Sequence, residues 1–254
     1  MKIYGSARIL PLHNPLGDAP VVYLPVVSST MDVVRDPSLL AELHLPARTS
    51  SQHGFVVAAG RQQTGRGTHG REWSADSGEA VLMTVVLKRP ADWPFAAVRF
   101  GLAVRAYARS RGVDALVKWP NDVLVGEAKL AGVLCEWRGG VLLCGIGVNV
   151  FASPRGYAAV SLREAGAQGL GSYDNELSEL LSCIAVYVNE DAERVREEFA
   201  ACMYGKGARF RFRTPDANAL EVRVIGVDPC GGLVVETADG AMTLYAGRLE
   251  SRVG

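Results

Sequence analysis

A chain of 254 residues that is 48% hydrophobic and 21% charged can bury one large core with a small appended domain, and is too apolar for a disordered chain, a coiled coil or a collagen. Its 27 Lys and Arg balance 27 Asp and Glu, which excludes a whole-molecule electrostatic footprint for nucleic acid but leaves room for a local basic loop that holds a small anion. The five cysteines (Cys135, Cys144, Cys183, Cys202, Cys230) make no CxxC pair and no metal-ligand spacing with the four histidines, so reduced packing thiols, a cytoplasmic setting and no protein-held metal are expected.

The first eight residues lack the apolar core of a signal peptide. Pro and Gly in the first two dozen residues predict a strand or two with turns. Residues 21–27 read as a strand running into Ser28-Ser29-Thr30, a capping signal for a helix. Residues 54–59 form a short apolar strand that leads into 60–70, a Gly- and Arg-rich segment too polar for a core and expected to order around a ligand. Residues 80–87 are another strand, stopped by Lys88-Arg89-Pro90. Phe95, Val98, Leu102, Val104 and Tyr107 give a helical period ending near Arg111-Gly112 with cations at its C-terminal end. Strands are predicted at 113–119, 130–137 and 141–148, the last two joined by Arg138-Gly139-Gly140. The longest apolar stretch, 141–152, is broken by Gly145, Gly147 and Asn149 and is too short to cross a bilayer. Asp174 reads as the N-cap of a helix carrying Leu177, Leu180, Leu181, Ile184 and Val188. Past Tyr204-Gly205, short strands at 208–213, 220–227, 233–237 and 241–245 alternate with tight turns such as Thr214-Pro215-Asp216, predicting a small barrel. The chain is therefore divided into domains at 1–204 and 205–254.

Three segments carry chemistry. In Gln62-Gln63-Thr64-Gly65-Arg66-Gly67-Thr68-His69-Gly70-Arg71-Glu72-Trp73, closely spaced glycines let successive N–H groups point into one anion. Arg66 and Arg71 add forked donors for phosphate or carboxylate, and Trp73 offers a flat face for a base. Taken alone, the segment reads equally well as a solvated surface loop. In Lys118-Trp119-Pro120-Asn121-Asp122, Pro120 holds Trp119 extended at a strand end and Asn121-Asp122 turns the chain; Lys129-Leu130-Ala131-Gly132 follows. A lysine there can neutralise charge that develops on an acyl phosphate, and a carboxylate can orient or deprotonate an amine, although a β-turn with a surface ion pair is the simpler reading of any one of these residues. Gly145-Ile146-Gly147-Val148-Asn149 ends a strand with glycines, which suits a flat ligand against the backbone or a bulge at a sheet edge.

The order and spacing of Gly65-Arg66-Gly67, Gly70-Arg71, Trp73, Lys118-Trp119-Pro120-Asn121-Asp122 and Lys129-Leu130-Ala131-Gly132 closely resemble the biotin–protein ligase family, from about Val26 to Asn149 and more loosely beyond. The resemblance implies an α+β fold of class II synthetase type, a mixed sheet flanked by helices, with a small SH3-like β-barrel at the C-terminus. It implies a two-step ligase: biotin carboxylate attacks the α-phosphate of ATP, pyrophosphate leaves with Mg²⁺ assistance, and a lysine amine on a biotin carboxyl carrier domain displaces AMP. By motif, Ser29, Thr30 and Gln62 hold the polar ureido end or flank of biotin with Met31 beside them, while Arg66 and the backbone of Gly65, Gly67 and Thr68 close over the carboxylate and phosphate. Lys129 contacts the carboxylate and α-phosphate; Gly132, Val133, Gly145 and Ile146 line the biotin slot. Trp73 and Asn149 contact adenine, Arg71, Lys118 and Asn121 complete the nucleotide site, and Asp122 receives or orients the incoming amine.

The chain departs from the family's pattern at Met31, where many bacterial members have Asn, at Thr68, where a second basic residue helps retain the adenylate, and at Glu79, where a neutral residue is common. His69 reads as an exposed residue without a catalytic role. About 27 residues precede Ser28, too few for the winged helix-turn-helix of the two-function members, so a monofunctional enzyme without nucleic acid or membrane partners is expected, as monomer or homodimer. The rivals are a lipoate–protein ligase, a degenerate module that sequesters biotin, and a nucleic-acid-binding regulator.

Overall fold

The computed structural model describes residues 6–36, 38, 41, 43–44, 49, 51–90 and 92–253. Between Arg8 and Asn149 it contains β1 (Arg8–Ile9), β2 (Val21–Val27), α1 (Thr30–Val34), β3 (Val56–Gln62), β4 (Gly65–Arg66), β5 (Glu72–Trp73), β6 (Ala80–Leu87), α2 (Ala96–Ser110), β7 (Leu116–Lys118), β8 (Asp122–Val125), β9 (Ala128–Arg138) and β10 (Val141–Asn149). Eight of these strands make one sheet in the order β1-β2-β3-β6-β10-β9-β8-β7, and β4 pairs with β5 as a separate ribbon. Within the large sheet only β2 and β3 run parallel, so the expected mixed sheet is present.

Burial explains why the central strands read as unbroken apolar runs. All eight residues of β6 are buried, because helices cover both faces of the sheet. Alternate side chains go to opposite faces: Val81, Met83, Val85 and Leu87 enter a large cluster with α2, while Val86 joins Val33 and Val34 of α1 on the other face. Two further helices follow, α3 (Tyr173–Asn189) and α4 (Ala192–Cys202), and Phe100, Leu102, Leu180, Ile184 and Phe199 pack into the large cluster.

Several local expectations are corrected. The cap of α3 is Ser172, whose side chain accepts from Asn175 N–H; Asp174 lies two residues on, within the first turn, where its charge favours the helix N-terminus. Helix α4 was not anticipated, since only Val195, Phe199 and Cys202 are buried along it, too sparse a stripe to stand out. Asp122 does not turn the chain but opens β8, opposite Lys118, and the turn is formed by Trp119, Pro120 and Asn121.

The C-terminal strands β11 (Arg209–Arg213), β12 (Ala219–Val227), β13 (Leu233–Thr237), β14 (Gly240–Leu244) and β15 (Arg248–Val253) form an antiparallel sheet in the order β14-β13-β12-β11-β15. Among the described residues β14 and β15 do not pair, so this sheet is open rather than a closed barrel. Strand β15 escaped the sequence reading because Leu249 is its one buried residue. The sheet packs directly on the Lys118–Asp122 turn. Trp119 is buried, its Nε1–H donates to the Gly231 carbonyl at 2.9 Å, and its ring lies 6.2 Å from that of Phe212. Tyr204 N–H donates to the Val117 carbonyl at 2.9 Å, and its ring packs on Phe210. Among the described residues no helix is long and apolar enough to cross a membrane. Trp119→Ala should therefore lower stability by about 3–5 kcal/mol, as for other large buried aromatic truncations, measured by urea unfolding; a loss below about 1 kcal/mol would mean that the C-terminal sheet does not depend on this anchor.

Candidate active site

The floor of the site is a patch of sheet without side chains. Gly132 of β9 and Gly147 of β10 stand directly opposite each other, and Gly145 pairs with Leu134 and, on its other side, with Thr84 of β6. Strand alternation places these residues on the face that carries α1. Three side chains, Trp73, Met31 and Lys129 (whose Nζ would stand 3.0 Å from a Cβ at Gly132), occupy the space the glycines leave. A Cβ at Gly147 would stand 2.4 Å from Trp73 Cε2, one at Gly132 would stand 3.0 Å from Trp73 Cζ3, and one at Gly145 would stand 2.9 Å from Met31 Sδ.

Trp73 is delivered by the β4–β5 ribbon, in which Gly65 opposes Trp73 and Arg66 opposes Glu72. A Cβ at Gly65 would lie 2.2 Å from the Trp73 carbonyl oxygen, so this glycine permits the ribbon to close and does not line the slot. The segment expected to be a loop is thus a two-stranded ribbon around a single 3-10 turn, Thr68–Gly70. Gly67 N–H donates to the Arg71 carbonyl at 2.7 Å, and the Arg71 guanidinium folds back onto the Thr68 carbonyl and hydroxyl. The side chain of His69 lies outside the described residues.

At one end of the slot sits a hydrogen-bonded polar cluster. Ser29 N-caps α1 without a side-chain cap bond. The Gln62 side chain takes that place: its Oε1 accepts from Thr30 N–H at 2.8 Å and from Thr30 Oγ1–H at 3.1 Å. Thr84 Oγ1–H in turn donates to Thr30 Oγ1 at 2.9 Å. Ser29, Thr30, Met31 and Thr84 are all buried. A backbone N–H can only donate, so the orientation of the Gln62 amide is dictated, and its Nε2–H₂ group is the end left free.

At the other end, Lys129 Nζ lies 2.6 Å from the Asp122 carboxylate, in ion contact but off hydrogen-bond alignment, and 5.4 Å from the centroid of the Trp73 ring. Lys118 is half-buried, 5.8 Å from the Tyr204 ring centroid. Burial holds its ammonium below the ordinary lysine value; the Asp122 charge opposes that shift and the Lys129 charge adds to it. Asn121 is committed to the fold, its Nδ2–H donating to the Val133 carbonyl and its carbonyl accepting from Val133 N–H, both at 2.9 Å. Arg66 is paired with Asp32 of α1 at 2.7 Å, and Asp32 also meets Arg35 at 3.4 Å.

A second cavity of about 370 Å³ adjoins the slot, within the roughly 300–1,000 Å³ of small-molecule sites. It shares Thr68, Trp73 and Lys129 with the slot and adds Arg71, Asn149 and Tyr157. Asn149 is buried, its Nδ2–H₂ group facing the carbonyls of Lys129 and Val160, with Oδ1 left unpartnered, as is Trp73 Nε1–H.

Of the residues expected from the sequence, Ser29, Thr30, Met31, Gln62, Arg66, Gly67, Thr68, Trp73, Asn121, Lys129, Gly132, Val133, Gly145 and Ile146 meet around the slot. Trp73 and Asn149 meet in the adjoining cavity, and Lys118, Asp122 and Arg71 meet at its neighbour beside Arg248. Sequence reasoning missed Asp32, Met83, Thr84, Leu134 and Tyr157; only Thr84, a lone hydroxyl in an apolar strand, left a readable signal. Glu79 acts through its main chain, the carbonyl accepting from Val150 and Phe151 N–H at 3.2 and 2.8 Å, which places no demand on the side chain. Gly147→Ala should expel the Trp73 indole and raise acrylamide quenching of tryptophan fluorescence. Gly145→Ala should leave quenching unchanged, because a flexible Met31 side chain can yield; equal quenching in both variants would sink this account.

The family model described as the Biotin/lipoate A/B protein ligase family matches residues 23–162. The bifunctional ligase/repressor BirA of Bacillus subtilis (strain 168) is 26% identical over 252 residues, covering 91% of this chain and 73% of that protein. The biotin–[acetyl-CoA-carboxylase] ligase of Mycobacterium tuberculosis is 27% identical over 206 residues, covering 76% of this chain and 77% of that one. Among solved structures, the biotin protein ligase from Aquifex aeolicus in complex with biotin and ATP shares the fold, with a TM-score of 0.77 and 22% identity over 92% of this chain and 99% of that chain. The family match spans more than half of the chain and takes in the whole glycine floor, the arginine ribbon and the Lys129–Asp122 pair, and so the chain belongs to the biotin/lipoate A/B protein ligase family.

Proposed function

We propose that the protein forms biotinyl-5′-AMP from biotin and ATP and transfers the biotinyl group to a lysine of a biotin carboxyl carrier domain. The names of its relatives point to biotin, and the observation within this chain that carries the choice is the polarity of the cluster around Gln62. Its Oε1 is consumed by Thr30, leaving Nε2–H₂ as a donor, while Thr30, whose O–H donates to Gln62 and whose oxygen accepts from Thr84, keeps one lone pair. A donor beside an acceptor fits the C=O and N–H of a cyclic urea. The dithiolane of lipoate presents neither group and would leave both unpaired.

The bicyclic ring would lie in the slot beside the Trp73 indole and Met31, which themselves pack over Gly132, Gly145 and Gly147, with its carboxylate toward Lys129. In the first step a carboxylate oxygen attacks the α-phosphorus, the bond to the bridging oxygen breaks, and pyrophosphate leaves. Lys129, with Arg66 once released from Asp32, would neutralise the charge that accumulates on the equatorial oxygens. Adenine would meet Asn149 Oδ1 and the Trp73 indole, and the lack of a partner for Oδ1 and for Trp73 Nε1–H supports this reading. Mg²⁺ would arrive with the ATP phosphates, since no described cluster of His, Cys, Asp or Glu could hold it alone. In the second step the acceptor amine attacks the acyl carbon, AMP departs, and Asp122 is placed to orient the amine or take its proton.

We read the open C-terminal sheet as an SH3-like module beginning near residue 205, appended to a catalytic domain over 1–204. Cytoplasmic action as a monomer or homodimer fits the reduced thiols and the balanced charge.

Biotin- and ATP-dependent labelling of a purified carrier domain, read with streptavidin and run beside lipoate, tests this reading. Labelling by lipoate, or by neither acid, would overturn it. Lys129→Ala should slow pyrophosphate release more than tenfold, since one transition-state charge contact is removed; near-normal release would make the lysine structural. Because Thr68 stands where a second cation is common, adenylate should escape and label unrelated proteins when no carrier is present, and labelling confined to the carrier would contradict this.

A further inference from the structure

Strand β6 reads Ala-Val-Leu-Met-Thr-Val-Val-Leu, and all eight of its residues are buried. Thr84 is the single polar side chain in it, with 0% exposure. A hydroxyl in such surroundings is unfavourable unless it is hydrogen-bonded, and valine would fill the same volume with no polar group to satisfy. The hydroxyl bonds to Thr30 Oγ1 at 2.9 Å, and Thr84 is not among the residues that line the slot.

We propose that Thr84 is a positioning residue for biotin recognition, the buried end of a directed relay from Thr84 Oγ1–H through Thr30 Oγ1–H to Gln62 Oε1. The direction follows from chemistry alone. Gln62 Oε1 can only accept, so the Thr30 proton points to it; Thr30 can then only accept from Thr84. By occupying one Thr30 lone pair, Thr84 holds the Thr30 rotor and leaves a single, fixed acceptor for a ligand N–H. It also keeps Thr30 donating to Gln62, which holds the amide nitrogen toward the slot. Two hydrogen-bonding groups that touch the ligand are thus aligned by one that does not. Gly145, directly opposite Thr84 across β6 and β10, leaves its space to the Met31 side chain, so the relay is flanked there by an apolar group that offers no competing hydrogen bond.

The inference rests on the proposed biotin reading, and the test separates the two. Adenylate formation is measured for wild type, Thr84→Val and Thr84→Ser, with KM for biotin, KM for ATP and kcat determined separately and thermal midpoints recorded. Thr84→Val should raise KM for biotin about five- to tenfold, the effect of one lost hydrogen bond in an aligned network, with KM for ATP and kcat within about twofold of wild type. Thr84→Ser should restore the biotin KM, because it returns the hydroxyl. In a Thr30→Ala background, Thr84→Val should add nothing further. Should valine impair folding, Thr84→Ala replaces it in the same comparison. A biotin KM that stays at the wild-type value in Thr84→Val, or parallel losses for biotin and ATP that serine does not rescue, would overturn the relay while leaving the biotin reading intact. A wild-type protein that shows no biotin-dependent pyrophosphate release would overturn the functional reading and the relay with it.

Discussion

The site depends on the register between β9 and β10. Gly132 and Gly147 meet there as a cross-strand pair; the Trp73 indole lies closer to Gly147 than any Cβ would allow and packs tightly over Gly132. Shifting either strand by one residue would turn the glycines to the opposite face and put Val133 or Val148 beneath the indole. That register is held from both sides: β10 pairs with buried β6 along its length, and Asn121 clamps the main chain of Val133. The flat floor is therefore a property of the sheet core, which is far more rigid than the ribbon packed against it.

The charged groups divide by how firmly they are held. Arg66 is 47% exposed and its pairing with Asp32 faces solvent, so that contact is worth little and can exchange for a ligand anion at small cost. Lys129 and Asp122 are less exposed, at 31% and 18%, and sit on adjacent strands with short side-chain reach. One cation is thus parked and exchangeable while the other is fixed beside the slot. The arrangement suits a site that must admit a substrate anion and then meet developing charge with a group already in place.

Much of this was legible from the chain. The strands at 80–87 and 141–149, the α2 helix and the hairpin at Arg138-Gly139-Gly140 announce themselves by continuous apolar runs and turn residues, and the three motifs converge on one slot as expected. Pattern failed where burial is sparse or contacts are remote. Helix α4 and strand β15 bury too few residues to show a period, and Asp32 acts through an ion pair with a residue 34 positions away. Gly65 sits in the right motif for a reason of packing that spacing does not reveal, and Asn121, which lines the slot, also bonds the main chain of Val133. The closure of the C-terminal barrel was read from strand lengths, which carry no information on whether β14 and β15 meet.

The turn from Lys118 to Asp122 explains why a remote sheet bears on the chemistry. Trp119 points away from the slot and docks on Phe212 and Gly231, while Lys118 packs on Tyr204 and Asp122 faces Lys129. Five consecutive residues therefore join the C-terminal sheet to the ion pair of the site. Tyr204 is also hydrogen-bonded to Glu127, in the turn between β8 and β9, so both ends of the β8 hairpin are tied to the same anchor. With Trp119 and Tyr204 seated, Asp122 and Lys129 have little freedom to separate. The C-terminal sheet thus helps to hold the geometry of a lysine and a carboxylate that both belong to the other part of the chain.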